Sequence, residues 1–251
     1  MEIIKNASRW GNSAGVILPK KWIGKQVKII LIDRTENIEK EVMEIIKKYL
    51  EDIIGIYIVG SYSRNDYTDN SDIDIIAISN ETKKELSSGK YNISIYPLES
   101  VKKTLNANPV LIYPRILESK TIINKKLLEE LKKEKIGGSE KYIDETRRII
   151  KINEGIIKIK PGKIPDSVIY SLVLRIKGLL LIKNMKDKKI LMKKEFLNYL
   201  KKVLGEKSDE IIMSYERIKN NLPEMEIIDY EIAERLLDSL KNEIKWQTKK
   251  E

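Results

Sequence analysis

Two periodicities divide the chain. It opens with short β-branched runs separated by turn residues: Glu2-Ile3-Ile4-Lys5, Ala14-Gly15-Val16-Ile17-Leu18-Pro19 and Gln26-Val27-Lys28-Ile29-Ile30-Leu31-Ile32, with Gly11, Asn12, Ser13 and Gly15 at the corners. This pattern predicts β-hairpins. Strands this short bury little core, so the piece must pack on the next domain or complete its sheet with a second chain. Ile38, Val42, Ile45, Ile46 and Leu50 then form a stripe at helical spacing, with Thr35 or Asn37 as the expected cap. Ile53–Val59 and residues 72–79 return to strand, 82–88 read as a short polar helix or loop, and 91–96 are a third strand ended by Pro97. A helix near 99–106, the segment 110–117 and a helix near 124–133 come next. Gly137-Gly138-Ser139 is the clearest linker signal. Beyond it the periodic segments are helical: 140–154, a break at 161–165, a helix capped by Asp166 and reaching about 184, then 192–204, 207–221 and 229–247. Such a series makes a bundle.

Composition narrows the chemistry. The 251 residues contain no cysteine and no histidine. Disulfides, thiolate metal sites, Cys nucleophiles, His general bases and Ser-His triads are therefore excluded together. Catalysis must rest on carboxylates, Lys, Arg, Ser, Tyr and bound metal. No stretch approaches the length of an uncharged membrane span and no signal peptide pattern opens the sequence, so a soluble cytoplasmic protein with no membrane partner is expected. The net charge of +10 is uneven: residues 1–33 carry six Lys/Arg against two Asp/Glu, residues 34–137 balance at 17 of each, and residues 138–251 hold 25 against 19. The basic N-terminal end points to nucleic acid.

The chemistry concentrates between Ile56 and Ile76. A β-branched run ends in Gly60-Ser61, a polar loop comes after it, and Asp72-Ile73-Asp74 opens the next apolar run. Residues i and i+2 of a strand share a face, so Asp72 and Asp74 point the same way. Two like charges so placed raise each other's pKa unless a cation lies between them. Mg²⁺ is the natural choice, because it takes carboxylate oxygens and leaves positions open for waters and phosphates. Gly60 allows close backbone approach, and the Ser61 hydroxyl with nearby N–H groups can hold phosphate oxygens.

The string Gly-Ser-Tyr-Ser-Arg followed by Ser-Asp-Ile-Asp resembles the signature of the polymerase-β-like nucleotidyltransferases, and most of all their minimal prokaryotic members. The resemblance implies that Asp72 and Asp74 ligate Mg²⁺ and are catalytic, and that Gly60 and Ser61 hold the β- and γ-phosphates of an NTP, with ATP the expected nucleotide. Arg64 stands where the small members carry an Arg able to pair with phosphate. A third carboxylate belongs on the strand after the Asp-x-Asp strand; here that strand carries Asn92 and Ser94, with Glu99 and Glu118 as the acids further on.

Arg9-Trp10-Gly11-Asn12-Ser13-Ala14-Gly15-Val16-Ile17-Leu18-Pro19-Lys20 is similar to the start of AbrB/MazE-type swapped-hairpin domains. That likeness implies a homodimer and DNA contacts at Lys5, Arg9 and Asn12, with Lys20, Lys21 and Lys25 behind them. The C-terminal helices are loosely similar to the HEPN bundles that partner minimal nucleotidyltransferases; the ribonuclease form of that bundle needs a His this chain lacks. Arg175 and Lys177 are its candidates to face the cleft.

The expected architecture is α+β and multidomain: a swapped β-hairpin domain (1–34), an α/β nucleotidyltransferase core with a mixed sheet (35–136), and a helical bundle (140–251). Two functions remain open. One is an enzyme moving NMP from NTP to a hydroxyl on a partner protein, as in toxin–antitoxin pairs, on RNA or on a small molecule. The other is a DNA-binding regulator or antitoxin whose core binds nucleotide with little turnover.

Overall fold

The computed structural model describes residues 3, 5, 8–29, 34–68, 71–159 and 162–248. The chain divides into two compact units, Met1–Lys40 and Glu41–Glu251. In the first, β1 (Ser8–Trp10) and β2 (Ser13–Gly15) pair antiparallel with Arg9 opposite Ala14. The hairpin turns at Gly11-Asn12, where Gly11 takes a φ of +59°, the positive φ that a two-residue hairpin turn demands. A 3-10 turn comes next at Lys20–Trp22. The longer strands expected at 14–19 and 26–32 are not formed over their described residues: β2 stops at Gly15, and residues 16–19 and 25–29 are irregular. Neither segment has a ladder partner among the described residues, and an apolar run without one is not a strand. Glu2 and Ile4 of the expected strand at 2–5, and residues 30–32, lie outside the described residues. Helix α1 (Arg34–Ile46) begins ahead of either expected cap.

The second unit is built on a five-stranded mixed sheet. β3 (Ile53–Val59) leads directly into the short helix α2 (Gly60–Arg64); then come β4 (Ile73–Ser79), β5 (Lys84–Ser88), β6 (Tyr91–Pro97), α3 (Leu98–Ala107), α4 (Tyr113–Glu118), β7 (Lys120–Ile123) and α5 (Lys125–Lys133). The sheet order is β5-β6-β4-β3-β7, with β4 and β6 parallel and the other pairs antiparallel. One expectation is corrected here, and the segment 110–117 acquires its structure. Residues 84–88 are a strand and not a helix, because Gly89, at φ +56°, turns the chain back onto β6 in a tight hairpin. Residues 110–117 fall on a 3-10 turn and α4, with Pro114 in the first turn of that helix, where its missing N–H costs nothing. Asn124 caps α5 by accepting a hydrogen bond from Leu127 N–H at 3.0 Å.

After Gly137-Gly138-Ser139 come α6 (Glu140–Ile159), β8 (Lys163–Pro165), α7 (Asp166–Lys186), α8 (Lys193–Leu204), α9 (Ser208–Lys219), β9 (Glu226–Asp229) and α10 (Tyr230–Thr248), with β8 and β9 paired antiparallel. Pro165 sits at the cap of α7, and Asp166 opens its first turn. Its buried carboxylate accepts from Ser214 Oγ at 2.5 Å, Arg217 Nε at 2.7 Å and Met225 N–H at 3.0 Å, so one charge ties α7 to α9 and to the start of β9. One apolar cluster runs from Tyr57, Val59, Ile76 and Ile78 on the sheet, through Leu105, Tyr113 and Leu128, to Ile169, Leu172, Leu236 and Ile244. The helices thus cover one face of the sheet, and the site lies at the edge of that same face. Among the described residues, no helix is long and apolar enough to cross a membrane.

Candidate active site

Three strand ends meet at one edge of the sheet. Antiparallel pairing sets Asp74 across from Val59, the residue before Gly60, and parallel pairing sets it beside Asn92. Gly60 has a φ of +71°, and a Cβ there would lie 2.6 Å from Asp74 Oδ2. A side chain at 60 would therefore meet both a strained backbone and the carboxylate. Ser61 comes next, in the first turn of α2, half-buried. Asn65 closes α2 with a left-handed φ of +59°, a conformation Asn tolerates better than most residues. Of the two expected aspartates β4 carries Asp74, while Asp72 sits just ahead of the strand and is exposed.

Burial pushes the Asp74 carboxyl above its ordinary range, and the negative charges of Asp72 and Glu118 add to the rise; Arg115 and Lys219 oppose it. The carboxylate is formed in a place that resists its charge. Among the described residues no group of three or more His, Cys, Asp or Glu is arranged to hold a metal. Asp72 and Asp74 are the two acids that could serve a cation such as Mg²⁺, which takes one or two carboxylates from a protein and completes its shell with water and substrate phosphate.

The strand beside Asp74 offers no acid at the matching position. Asn92 accepts from Ser87 Oγ at 3.2 Å, and Ser94, one step along the same face, donates to Glu85 Oε2 at 2.7 Å. Glu99 lies in the first turn of α3. The acid that does reach the site is Glu118, at the end of α4. Its Oε1 accepts from Gly60 N–H at 2.7 Å and its Oε2 from Arg64 Nη1 at 2.6 Å, while Ser63 Oγ donates to its backbone carbonyl. Arg64 also donates to Asp66 Oδ2 at 3.0 Å, and that oxygen accepts from Lys193 N–H at 3.1 Å, which joins α2 to the start of α8. Burial would lower the Arg64 pKa, but Asp66 and Glu118 hold it above its ordinary value.

The helices bring further cations to this edge. Lys177 on α7 is lowered by burial first and by the positive charges of Arg64 and Lys219 next, with Glu118 and Asp66 opposing. Its Nζ stands 6.0 Å from the Phe196 ring centroid. Arg175, by contrast, lies over the Tyr142 ring at 5.3 Å. Asp74 thus feels Arg115 and Lys219, and Lys177 feels Arg64 and Lys219. Sequence reasoning did not single out Arg115, Lys219 or Asp66: the first lies in a segment without clear period, the second ends a helix far along the chain, and nothing local marks the third. The candidates for DNA contact lie in the first unit. Arg9 is on β1 and donates to Gly11 O at 3.2 Å, Asn12 is in the turn, Lys20 and Lys21 are in the 3-10 turn, and these with Lys5 and Lys25 are exposed.

Residues 39–192 match the nucleotidyltransferase domain family. No curated protein sequence matches the chain. Among solved structures it is similar to spectinomycin adenyltransferase AAD(9) from Enterococcus faecialis, a structure with ATP and spectinomycin, at 18% identity and a TM-score of 0.47 over 84% of this chain and 99% of that one. It is also similar to a nucleotidyltransferase-like protein from Exiguobacterium sibiricum 255-15, at 14% identity and a TM-score of 0.32 over 84% of this chain and 75% of that one. The family match takes in Gly60, Ser61, Arg64, Asp72, Asp74 and Glu118 and covers more than half of the 251 residues, so the chain belongs to the nucleotidyltransferase domain family.

Proposed function

We propose that the chain transfers NMP from an NTP, with ATP the expected nucleotide, to a hydroxyl of a protein, an RNA or a small molecule. One observation carries the reading: at a single sheet edge Asp74 is held where its negative charge is resisted, and Lys177 is held where its positive charge is resisted. A Mg²⁺ at the acids and a triphosphate at the cations would relieve both. Asp72 and Asp74 would hold Mg²⁺, which when bound polarises the α-phosphate and screens the leaving pyrophosphate. Gly60 and Ser61 offer close-approach donors, and Arg64, Lys177 and Lys219 would neutralise the β- and γ-phosphates, with the half-buried Arg64 and Lys177 acting more strongly than cations in water. Asn92 is no base at neutral pH, so proton removal from the acceptor falls to a carboxylate other than one on β6.

The test is incubation of the pure protein with α-labelled ATP and Mg²⁺, alone and with RNA, cell extract or the products of neighbouring genes. Label transfer with pyrophosphate release is expected, and Asp72→Asn together with Asp74→Asn should abolish it. Nucleotide binding without pyrophosphate under all of these conditions would instead favour the regulator.

A second activity is supported by the first unit. Trp10 on the hairpin and Ile17, Ile23 and Ile29 in the irregular segments after it are 70–78% exposed, in the same unit as Lys5, Arg9, Asn12, Lys20 and Lys21. A second copy would cover the apolar residues, and DNA would take the basic ones. Gel shifts across a salt series decide it: affinity must fall steeply with salt, and salt-insensitive binding sinks the DNA reading.

A further inference from the structure

Two of the phosphate donors proposed above are already taken by an anion of the protein's own. Gly60 N–H and Arg64 Nη1 are 2.7 Å and 2.6 Å from the two oxygens of one carboxylate, Glu118, whose side chain is 10% exposed. A planar carboxylate bridging a backbone N–H and a guanidinium makes the contacts that two oxygens of a phosphate would make. We propose that Glu118 is an internal surrogate for phosphate, competes with the polyphosphate of the nucleotide for Gly60 and Arg64, and so sets nucleotide affinity. This rests on the nucleotidyl-transfer reading of the same edge.

The surroundings are built for exchange by side-chain rotation alone. Ser63 Oγ holds the Glu118 carbonyl, Ser119 Oγ donates to Arg115 O at 2.7 Å, and Lys120 Nζ donates to Asn65 Oδ1 at 2.6 Å, so the backbone on either side of Glu118 is pinned to α2 or to its own helix. When Glu118 swings away, Arg64 keeps Asp66 at 3.0 Å and stays aimed at the site. A ligand that needs the same two donors binds in proportion to the fraction of molecules in which they are free: if Glu118 holds them in about nine molecules of ten, apparent affinity falls about tenfold.

The experiment is calorimetric titration of the full chain with inorganic tripolyphosphate at a fixed excess of Mg²⁺, comparing wild type, Glu118→Gln and Glu118→Ala, with a thermal melt of each as a folding control. Gln keeps the shape and the contact with Gly60 but has no charge for Arg64; Ala removes the competitor altogether. The expected result is a Kd about tenfold lower in Glu118→Ala and a smaller fall in Glu118→Gln, with the KM for NTP lowered in the same order. A Kd unchanged or raised in folded variants overturns the proposal, as does the absence of tripolyphosphate binding in all three proteins. Tighter binding without NMP transfer by any of them would sink the transfer reading and leave the competitor standing. Transfer with an unchanged Kd would do the reverse.

Discussion

Asp74 shows how a functional residue is recognised by what it costs. Its carboxyl is held above the ordinary range by burial and by the charges of Asp72 and Glu118. Such a group is neutral in both folded and unfolded chains at strongly acid pH. As pH rises from the ordinary carboxylate range to its raised folded pKa, the unfolded chain ionises while the folded one resists, and stability is lost. At neutral pH the wild-type chain therefore carries a penalty that Asp74→Asn removes. The variant should melt higher than wild type at pH 7, and the gap should close below the ordinary carboxylate range, while NMP transfer is abolished. Mg²⁺ should raise the wild-type melting temperature at pH 7 and leave that of the variant unchanged. Melting curves over a pH series with and without Mg²⁺ check all of this, and a variant that melts at or below wild type at pH 7 contradicts it. The Gly60-Ser61 turn and the Asp-x-Asp pair were legible in the sequence because a positive-φ glycine and a period-two carboxylate pair leave local marks. Glu118 stood in the sequence as one acid among several. Its place comes from α4 ending against α2, a contact 54 residues apart that no local pattern encodes.

At the level of elements, register decides what stands beside Asp74. The strands 53–59 and 91–96 and most of the helices were readable from β-branched runs and helical stripes. β5 was missed because Lys84, Glu85, Ser87 and Ser88 are polar, as an edge strand tolerates; the Gly89-Lys90 turn was its available signal. Parallel pairing of β4 with β6 brings Asn92 beside Asp74 on one face, which turns the missing third acid from a matter of spacing into a matter of position. Asn92→Asp adds a carboxylate there without changing side-chain size, and Ser87 Oγ, at 3.2 Å from Asn92 Oδ1, can donate to it equally well. If want of that acid limits the reaction, the variant should transfer NMP at least about tenfold faster, a modest share of what a positioned base contributes, and should need less Mg²⁺ for half-maximal rate. Initial rates across a Mg²⁺ series measure both. A rate equal to or below wild type in a folded variant would mean that the reaction does not wait on an acid at position 92.

Over the whole molecule, the sequence and the packing place their strongest seams differently. Gly137-Gly138-Ser139 reads as a linker, yet Gly137 N–H donates to Leu105 O at 2.9 Å, and a Cβ on Gly137 would lie 1.7 Å from Asn106 O. Glycine is needed there for close packing against the end of α3, which sequence alone does not separate from a need for flexibility. The apolar cluster crosses this point without a break, from Tyr57 on β3 to Ile244 on α10, and Lys177 and Lys219 reach the site from beyond it. The compact units divide instead at Lys40. Two truncations should therefore behave in opposite ways. A chain of residues 34–251 should unfold in one cooperative step, bind tripolyphosphate as the full chain does and keep its NMP transfer, while losing any DNA shift. A chain of residues 1–136 should lose tripolyphosphate binding and cooperative unfolding, because the sheet face carrying Tyr57, Val59, Ile76 and Ile78 then meets water over much of the area the helices cover, and apolar area returned to water costs about 25 cal/mol per Å². Calorimetric melts of both pieces, with tripolyphosphate titrations, read the contrast. A sharp melt from residues 1–136 alone would show that the core closes without its helices, and the bundle would then be an appended cover rather than half of one hydrophobic interior.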